Sequence, residues 1–289
     1  MAALTDATHA DTEEGSATPD EASRSGLMAG KRGLIMGVAN DHSIAWGIAR
    51  AAHAQGAELA FTYQGDAFER RVTPLAESLG AAATVPCDVS DAASLDAAFD
   101  RVADVWDGLD FVVHAIAYSD REELKGRYVD TSAENFVTTM MVSCYSFTAV
   151  ARRAAEAMGE GGSLLTLTYE GSGRVMPSYN VMGVAKAALE ASVRYLAADL
   201  GPDGIRVNAI SAGPMRTLAG SAVGDARYVY TYNRDHAPLR RNVTLAEVGN
   251  AGMYLLSDLS AGVTGEVHFV DAGFHAIGIP KPKGNGSAG

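Results

Sequence analysis

Cysteine is scarce in this 289-residue chain: Cys87 and Cys144 are the only two, both in apolar contexts and without CxxC spacing. That excludes a disulfide-stapled scaffold and favours a reducing, cytoplasmic compartment with two buried thiols. Bases are outnumbered by acids, 23 to 35, and the net charge of −12 is unsuited to a phosphate-backbone binder, so no nucleic-acid partner is expected. The seven histidines are scattered without HExxH or similar spacing, so no metal site is expected. His114, inside the apolar run FVVHAIA, reads as a satisfied core residue rather than a ligand. No apolar stretch reaches the roughly 18 residues that span a bilayer, so no membrane partner is expected.

The chain has short β-rich runs alternating with longer helical patterns from Gly33 onward. The runs predict strands over 33–36, 58–62, 83–86, 109–115, 163–168, 205–210 and 266–270. Helices are expected between them over 44–55, 68–79, 94–106, 133–158, 179–200 and 245–256. Strands such as FVVHAIA are apolar at successive positions, as expected when helices cover both sheet faces. The alternation implies an α/β fold, a single-domain Rossmann-type doubly wound parallel sheet of about seven strands with right-handed crossovers. That domain is expected over 27–279. Residues 1–26 hold six acids against one base, five of the twelve excess negative charges, and read as a disordered acidic tail. They suit neither a transit peptide nor a secretory signal. Met28 is a plausible natural start, and 280–289 are expected to be a flexible tail.

In such a sheet a ligand crevice opens beyond the carboxyl ends of the strands. The first strand runs into GVANDHSIAWGIA, where Gly37 permits close backbone approach and the N–H groups around Ser43 and Ile44 open a helix, as a dinucleotide pyrophosphate requires. The spacing is not GxGxxG, and a helix capped by Ser43 with Gly37 as a turn residue is the alternative. The second strand ends FTYQGD: Gln64 can bond ribose hydroxyls, and Asp66 precedes the first base, Arg70. A 2′-phosphate would meet an acid before a cation, so NADH is expected over NADPH. The third ends CDVSD, where Asp88 can accept from an adenine amino group, or cap a helix, and Val89 can cover the ring. The fourth ends HAIAYS, whose Ala115 and Ala117 let a cofactor pass close to the backbone. After the sixth strand, Gly213 and Pro214 turn the chain so that Met215, Arg216 and Thr217 meet the nicotinamide end. Residues 218–238 follow without strong periodicity and are expected to form a substrate lid, with an ordinary surface loop as the alternative.

The segment TLTYEGSGRVMPSYNVMGVAKAALEA places Tyr169 at a strand end and Tyr179 and Lys186 at a helix start. Seven residues at 3.6 per turn put Tyr179 and Lys186 on nearly one face with roughly 10.5 Å of rise. Lys186 leans back toward Tyr179. A phenol beside an ammonium can donate a proton, or stabilise an oxyanion, more readily than a solvated tyrosine.

The stretches GVANDHSIAWGIA, ELAFTYQGD, CDVSD, TLTY, YNVMGVAKAALEASVRYLA and RVNAISAGPMRTLA resemble the bacterial NAD(P)H-dependent enoyl-[acyl-carrier-protein] reductases. That family is a divergent branch of the short-chain dehydrogenase/reductases, and the resemblance covers roughly residues 28–279. Ordinary members of the superfamily carry Tyr–x3–Lys and a strand serine. Here Met182 stands four before Lys186 and Tyr169 ends the strand. The resemblance implies that Tyr179 bonds the thioester carbonyl, Lys186 binds the nicotinamide ribose and Tyr169 lines the acyl site. Hydride would pass to the β-carbon of a trans-2-enoyl thioester, giving an enolate that Tyr179 stabilises. It also implies cofactor contacts at Gly37, Ser43, Ile44, Gln64, Asp88, Val89, Ile116 and Met215 through Leu218 and Ala219. Substrate contacts are implied at Ser119 and Met182, with an acyl carrier protein as partner and a homotetramer as assembly. Candidate carrier-docking cations are Arg227, Arg234, Arg240, Arg241, Lys281 and Lys283.

Three positions depart from the family's pattern: Ala117 for glycine, Glu170 for an uncharged residue and Ser178 for asparagine. A carbonyl/alcohol oxidoreductase of the same fold, and a nicotinamide-sensing protein without catalysis, are the competing readings.

Overall fold

The computed structural model describes residues 26–218 and 225–280, so the expectations for the two tails lie almost wholly outside the described residues. In chain order the elements are β1 (Arg32–Met36), α1 (Ile44–Ala54), β2 (Glu58–Tyr63), α2 (Asp66–Ser78), β3 (Ala83–Pro86), α3 (Ala92–Ala103) and β4 (Phe111–His114). The second half holds α4 (Arg121–Lys125), α5 (Ala133–Met140), α6 (Ser146–Ala157), β5 (Gly162–Thr168), α7 (Asn180–Leu200), β6 (Ile205–Ala212), α8 (Ala226–His236), α9 (Leu245–Leu256) and β7 (Val267–Val270).

All seven strands join one parallel sheet in the order β3-β2-β1-β4-β5-β6-β7. β1 lies between β2 and β4, with Leu34 opposite both Ala60 and Val112. The chain therefore travels outward from β1 in one direction, then crosses back to build the other half. The switch between β1 and β4 opens the crevice. The central strands β1, β4, β5 and β6 bury both faces by alternation. Leu34, Met36, Val112 and Leu164 pack with α3, α6 and α7. Ile35, Phe61, Val113 and Leu165 pack on the opposite side with α1, α2 and α9.

The expected strands are present with ends within two residues. Two helical expectations change. The helix expected over 133–158 is broken by a π-helical turn at Met141–Tyr145. There, buried Ser143 exchanges two hydrogen bonds of 2.9 Å with the Tyr118 N–H and carbonyl, holding the chain beyond β4. An extra residue in the turn lets this polar side chain leave the helical stripe, a use typical of π-turns near functional sites. The segment 218–238 is not aperiodic: it contains α8, in which Tyr228, Tyr232 and His236 stack one turn apart at 5.8 and 4.0 Å. Tyr232 also meets Phe274 edge-on at 6.1 Å, docking the helix on the chain after β7. Residues 219–224 of the expected lid lie outside the described residues.

Candidate active site

A crevice of about 1830 Å³ runs along the carboxyl ends of the strands. Gly37, Ile44, Gln64, Asp88, Val89, Ala115, Ile116, Ser119, Tyr169, Tyr179, Met182, Lys186, Met215, Arg216, Thr217 and Leu218 all line it. Ala219 lies outside the described residues. Ser43 is buried and is not among the residues that line the crevice. Its hydroxyl accepts from the N–H groups of Ala39 and Asn40 at 3.0 and 3.1 Å, so it ties the loop rather than capping α1. The loop is thereby shaped around the start of α1, whose first-turn N–H groups have no carbonyl partner within the helix. Gly37 sits at φ +98°, and a Cβ there would lie 2.2 Å from the Ala115 carbonyl oxygen. The glycine is thus demanded by the approach of two strand ends before any ligand enters.

At the far end, Asp88 accepts from the Ser90 hydroxyl at 2.6 Å and N–H at 2.9 Å. The Ser90 hydroxyl, with further help from Gln64, holds the Asp88 carboxyl below its ordinary value. Asp91, not Asp88, caps α3, accepting from the Ala93 N–H at 2.9 Å. Asp88 is therefore a charged acceptor on the crevice wall, and Arg70 is not among the wall residues.

Tyr179 is the N-cap of α7, with Ser178 and Asn180 on either side at φ +54° and +38°. Its ring meets Tyr169 edge-on at 5.2 Å. A Cβ on Gly171 would lie 2.4 Å from the ring, and one on Gly183 would lie 2.6 Å from the Gly171 carbonyl. These two glycines were not among the expected site residues, because nothing local marks them. Lys186, 6% exposed, donates from Nζ to the Leu167 carbonyl at 2.8 Å. Burial pushes its pKa down to about 8. The expectation that Lys186 acidifies Tyr179 does not hold. Burial, then the neighbouring Tyr169 and Glu190, push the Tyr179 phenol far above its ordinary value. Tyr169 is raised as well, by burial and then Glu170. Both phenols are neutral, and what Tyr179 can offer is an O–H donor.

His114 is core, as expected: Nε2 lies 2.8 Å from the Ser146 hydroxyl and Nδ1 3.2 Å from that of Thr166. Burial, then Lys186, push its pKa down to about 3, so it is uncharged. Burial raises the Cys87 thiol to about 11, leaving no thiolate nucleophile there. No grouping of three metal-ligating side chains occurs among the described residues.

Glu170 has a structural account. Its carboxylate pairs with Arg174 Nε at 3.0 Å, and Arg174 reaches the carbonyls of His275 and Ile277 at 2.6 and 3.2 Å. Burial nevertheless raises the Glu170 carboxyl above its ordinary 4.5, with Arg174 only partly opposing. The folded state then holds this proton over a window starting near 4.5, and charging the group at higher pH costs stability. Glu170→Gln is expected to melt on the order of 2 °C above the parent at pH 7, with the gap closing below pH 4.5. Melting curves of both proteins from pH 4 to 8 check this; a constant gap would rule it out.

Comparison with known proteins bears on the whole crevice. The family described as Enoyl-(Acyl carrier protein) reductase matches residues 37–275. The chain is 64% identical over 255 residues to Enoyl-[acyl-carrier-protein] reductase [NADH] 2 of Rhizobium meliloti, covering 88% of this chain and 95% of that protein. It is 52% identical over 255 residues to the NADH enzyme of Rickettsia typhi, covering 88% and 98%. Among solved structures, the Anaplasma phagocytophilum reductase in complex with NAD is 61% identical with a TM-score of 0.86, covering 89% and 98%.

Proposed function

Since the chain belongs to the enoyl-[acyl-carrier-protein] reductase family, we propose how its own residues divide the work in that crevice. The protein is an NADH-dependent oxidoreductase that reduces enoyl thioesters in fatty-acid biosynthesis, with acyl carrier protein bearing the substrate. The expected parallel Rossmann-type sheet and the expected preference for NADH both stand.

The crevice fits a dinucleotide. Gly37 and the start of α1 would take the pyrophosphate, and Gln64, Asp88 and Val89 the adenosine. Ala115, Ile116, Met215, Arg216, Thr217 and Leu218 would enclose the nicotinamide end, and Lys186 its ribose. When bound, the reduced nicotinamide supplies a hydride for the β-carbon of the trans-2-enoyl thioester. The remaining roles fall to the protein. Tyr179 donates its hydrogen bond to the thioester carbonyl oxygen, and the donor strengthens as that oxygen becomes an enolate oxygen. Protonation at the α-carbon completes the reduction. Tyr169 holds the Tyr179 ring from the side, and Met182 and Ser119 face the substrate.

The observation that carries this division is the buried, neutral Tyr179 phenol on the crevice wall, with apolar Met182 where a carbonyl-reducing relative would place its tyrosine. NADH oxidation is expected with crotonyl thioester and not with acetoacetyl thioester. Turnover of the acetoacetyl substrate alone would establish a carbonyl reductase instead.

Residues 27–279 are proposed as one cytoplasmic reductase domain, supported by a single sheet running from Arg32 to Val270. Among the described residues no helix is long and apolar enough to cross a membrane. For carrier docking, Arg227 and Arg234 line the crevice, Arg234 paired with Asp235 at 2.8 Å, and Arg241 is held by Glu247. Lys281 and Lys283 lie outside the described residues. A homotetramer is supported by the exposed apolar side chains Val137, Met141, Tyr145 and Tyr195, and a solution mass of one chain would contradict it.

A further inference from the structure

Asn180 opens α7 immediately after Tyr179, yet its side chain serves another element. Its Nδ2 lies 3.2, 3.1 and 2.8 Å from the carbonyl oxygens of Glu123, Leu124 and Gly126. These carbonyls stand at the C-terminal end of α4, where a helix leaves its last acceptors without internal partners. A five-residue helix does not hold itself together in water, so α4 depends on ties from outside. At its N-terminal end the Asp120 carboxylate accepts from the N–H groups of Glu122 and Glu123 at 2.8 and 3.3 Å. In mid-helix the Glu123 carboxylate accepts from the Ser132 N–H and hydroxyl at 2.9 and 2.7 Å and from the Asn135 amide at 3.2 Å, and at the C-terminal end the tie is the Asn180 amide.

Next to Glu123, Leu124 is 4% exposed and packs in one small apolar cluster with Tyr179, Val181 and Met182. Leu124, Tyr179 and Met182 all line the crevice. The residue beside the proposed carbonyl donor is therefore the tie at the C-terminal end of the strip that forms the apolar wall facing it. Asn180 has a second property, its φ of +38°, which asparagine tolerates better than most residues. The two properties can be separated by experiment.

We propose that Asn180 is a positioning residue for the acyl chain: its amide holds α4, and with it Leu124, at the spacing from Tyr179 that seats the enoyl substrate. This rests on the enoyl-reductase reading of the crevice. The residues proposed for the adenosine and pyrophosphate lie at the ends of β1 to β3 and take no part in the tie.

The test uses the full-length protein and three substitutions. Asn180→Asp keeps the side-chain size but turns carboxylate oxygens toward three carbonyls. Asn180→Gly removes the amide while easing the backbone. Leu124→Ala removes the apolar contact that the tie positions. For each, the NADH dissociation constant, melting temperature, and kcat and KM with crotonyl and decenoyl thioesters are measured. Both Asn180 variants are expected to lose about tenfold or more in kcat/KM with decenoyl thioester, chiefly through KM, with a smaller loss for crotonyl. NADH affinity is expected to stay within about twofold, and adding Asn180→Asp to Leu124→Ala to cost little more, because the two act on one contact.

Parent-like kcat/KM in Asn180→Gly would overturn the proposal, showing that only the backbone conformation matters. A joint fall in NADH affinity, melting temperature and rate would also overturn it, as would fully multiplicative losses in the double variant. If the parent protein turns over no enoyl thioester, the functional reading fails, and this inference with it. An active parent with an indifferent Asn180→Gly sinks the inference alone.

Discussion

Tyr179→Phe is expected to lower kcat for enoyl thioester reduction by about 10²- to 10³-fold while leaving NADH affinity within about twofold, the scale for losing one oxyanion donor. The substitution removes only the hydroxyl. The ring keeps its edge contact with Tyr169 at 5.2 Å and its seat against Gly171 and Gly183. A melting temperature close to the parent's should accompany the loss, because the deletion takes one oxygen and keeps both ring contacts. Since burial holds the phenol neutral, the parent's rate should show no limb from its ionisation between pH 6 and 9. Tyr169→Phe provides the contrast: a residue that supports the ring should cost under about tenfold. Steady-state kinetics on the two variants decide the matter, and an undiminished kcat in Tyr179→Phe would remove it from the chemistry.

The parts of this site that could be read in the sequence are those whose physics is local. Apolar runs such as FVVHAIA imply strands covered on both faces, and a parallel sheet then places its ligand beyond the strand ends. From there, Gln64, Asp88, Ala115 and Met215 fall on the crevice wall by position alone. What stayed hidden depends on distant pairs. The Asn180 amide reaches carbonyls more than 50 residues earlier, and no spacing along the chain announces that. Gly171 and Gly183 look like ordinary loop and helix glycines until Gly171 is seen against the Tyr179 ring and Gly183 against the Gly171 carbonyl. Helix α8 was concealed for another reason. Among its residues with described burial only Asn233 is buried, so it presents no apolar stripe, although Tyr228, Tyr232 and His236 recur every four residues.

Gly37 and Lys186 both line the crevice, but in the structure each is held there for a reason the sequence did not display. Gly37 suits a pyrophosphate, but the Ala115 carbonyl at 2.2 Å from its hypothetical Cβ already excludes any other residue. Lys186 was expected to act on the phenol through its charge. In the structure it is turned to the Leu167 carbonyl, and its consequence is an amine buried beside the crevice.

That burial makes Lys186→Met the second large-effect variant. A charge-assisted hydrogen bond to the nicotinamide ribose is worth about 1.5–3 kcal/mol, so the NADH dissociation constant should rise about 10- to 100-fold, with kcat falling as well. Stability should move the other way. With its folded pKa pushed down to about 8 from an ordinary 10.5, Lys186 binds its proton less readily folded than unfolded. Parent stability relative to Lys186→Met is therefore lowest below pH 8, rises as pH climbs from 8 to 10.5, and reaches parity above that window. At pH 7 the methionine variant, matching the lysine stem in volume, should melt higher while binding NADH worse. Isothermal titration and melting curves at pH 7 and 10.5 measure both halves. Unchanged NADH affinity would remove the ribose role, and a lower melting temperature at pH 7 would show that the Leu167 bond outweighs the cost of the buried charge. If both halves hold, the fold bears a destabilising ammonium at the one place where the bound cofactor can use it.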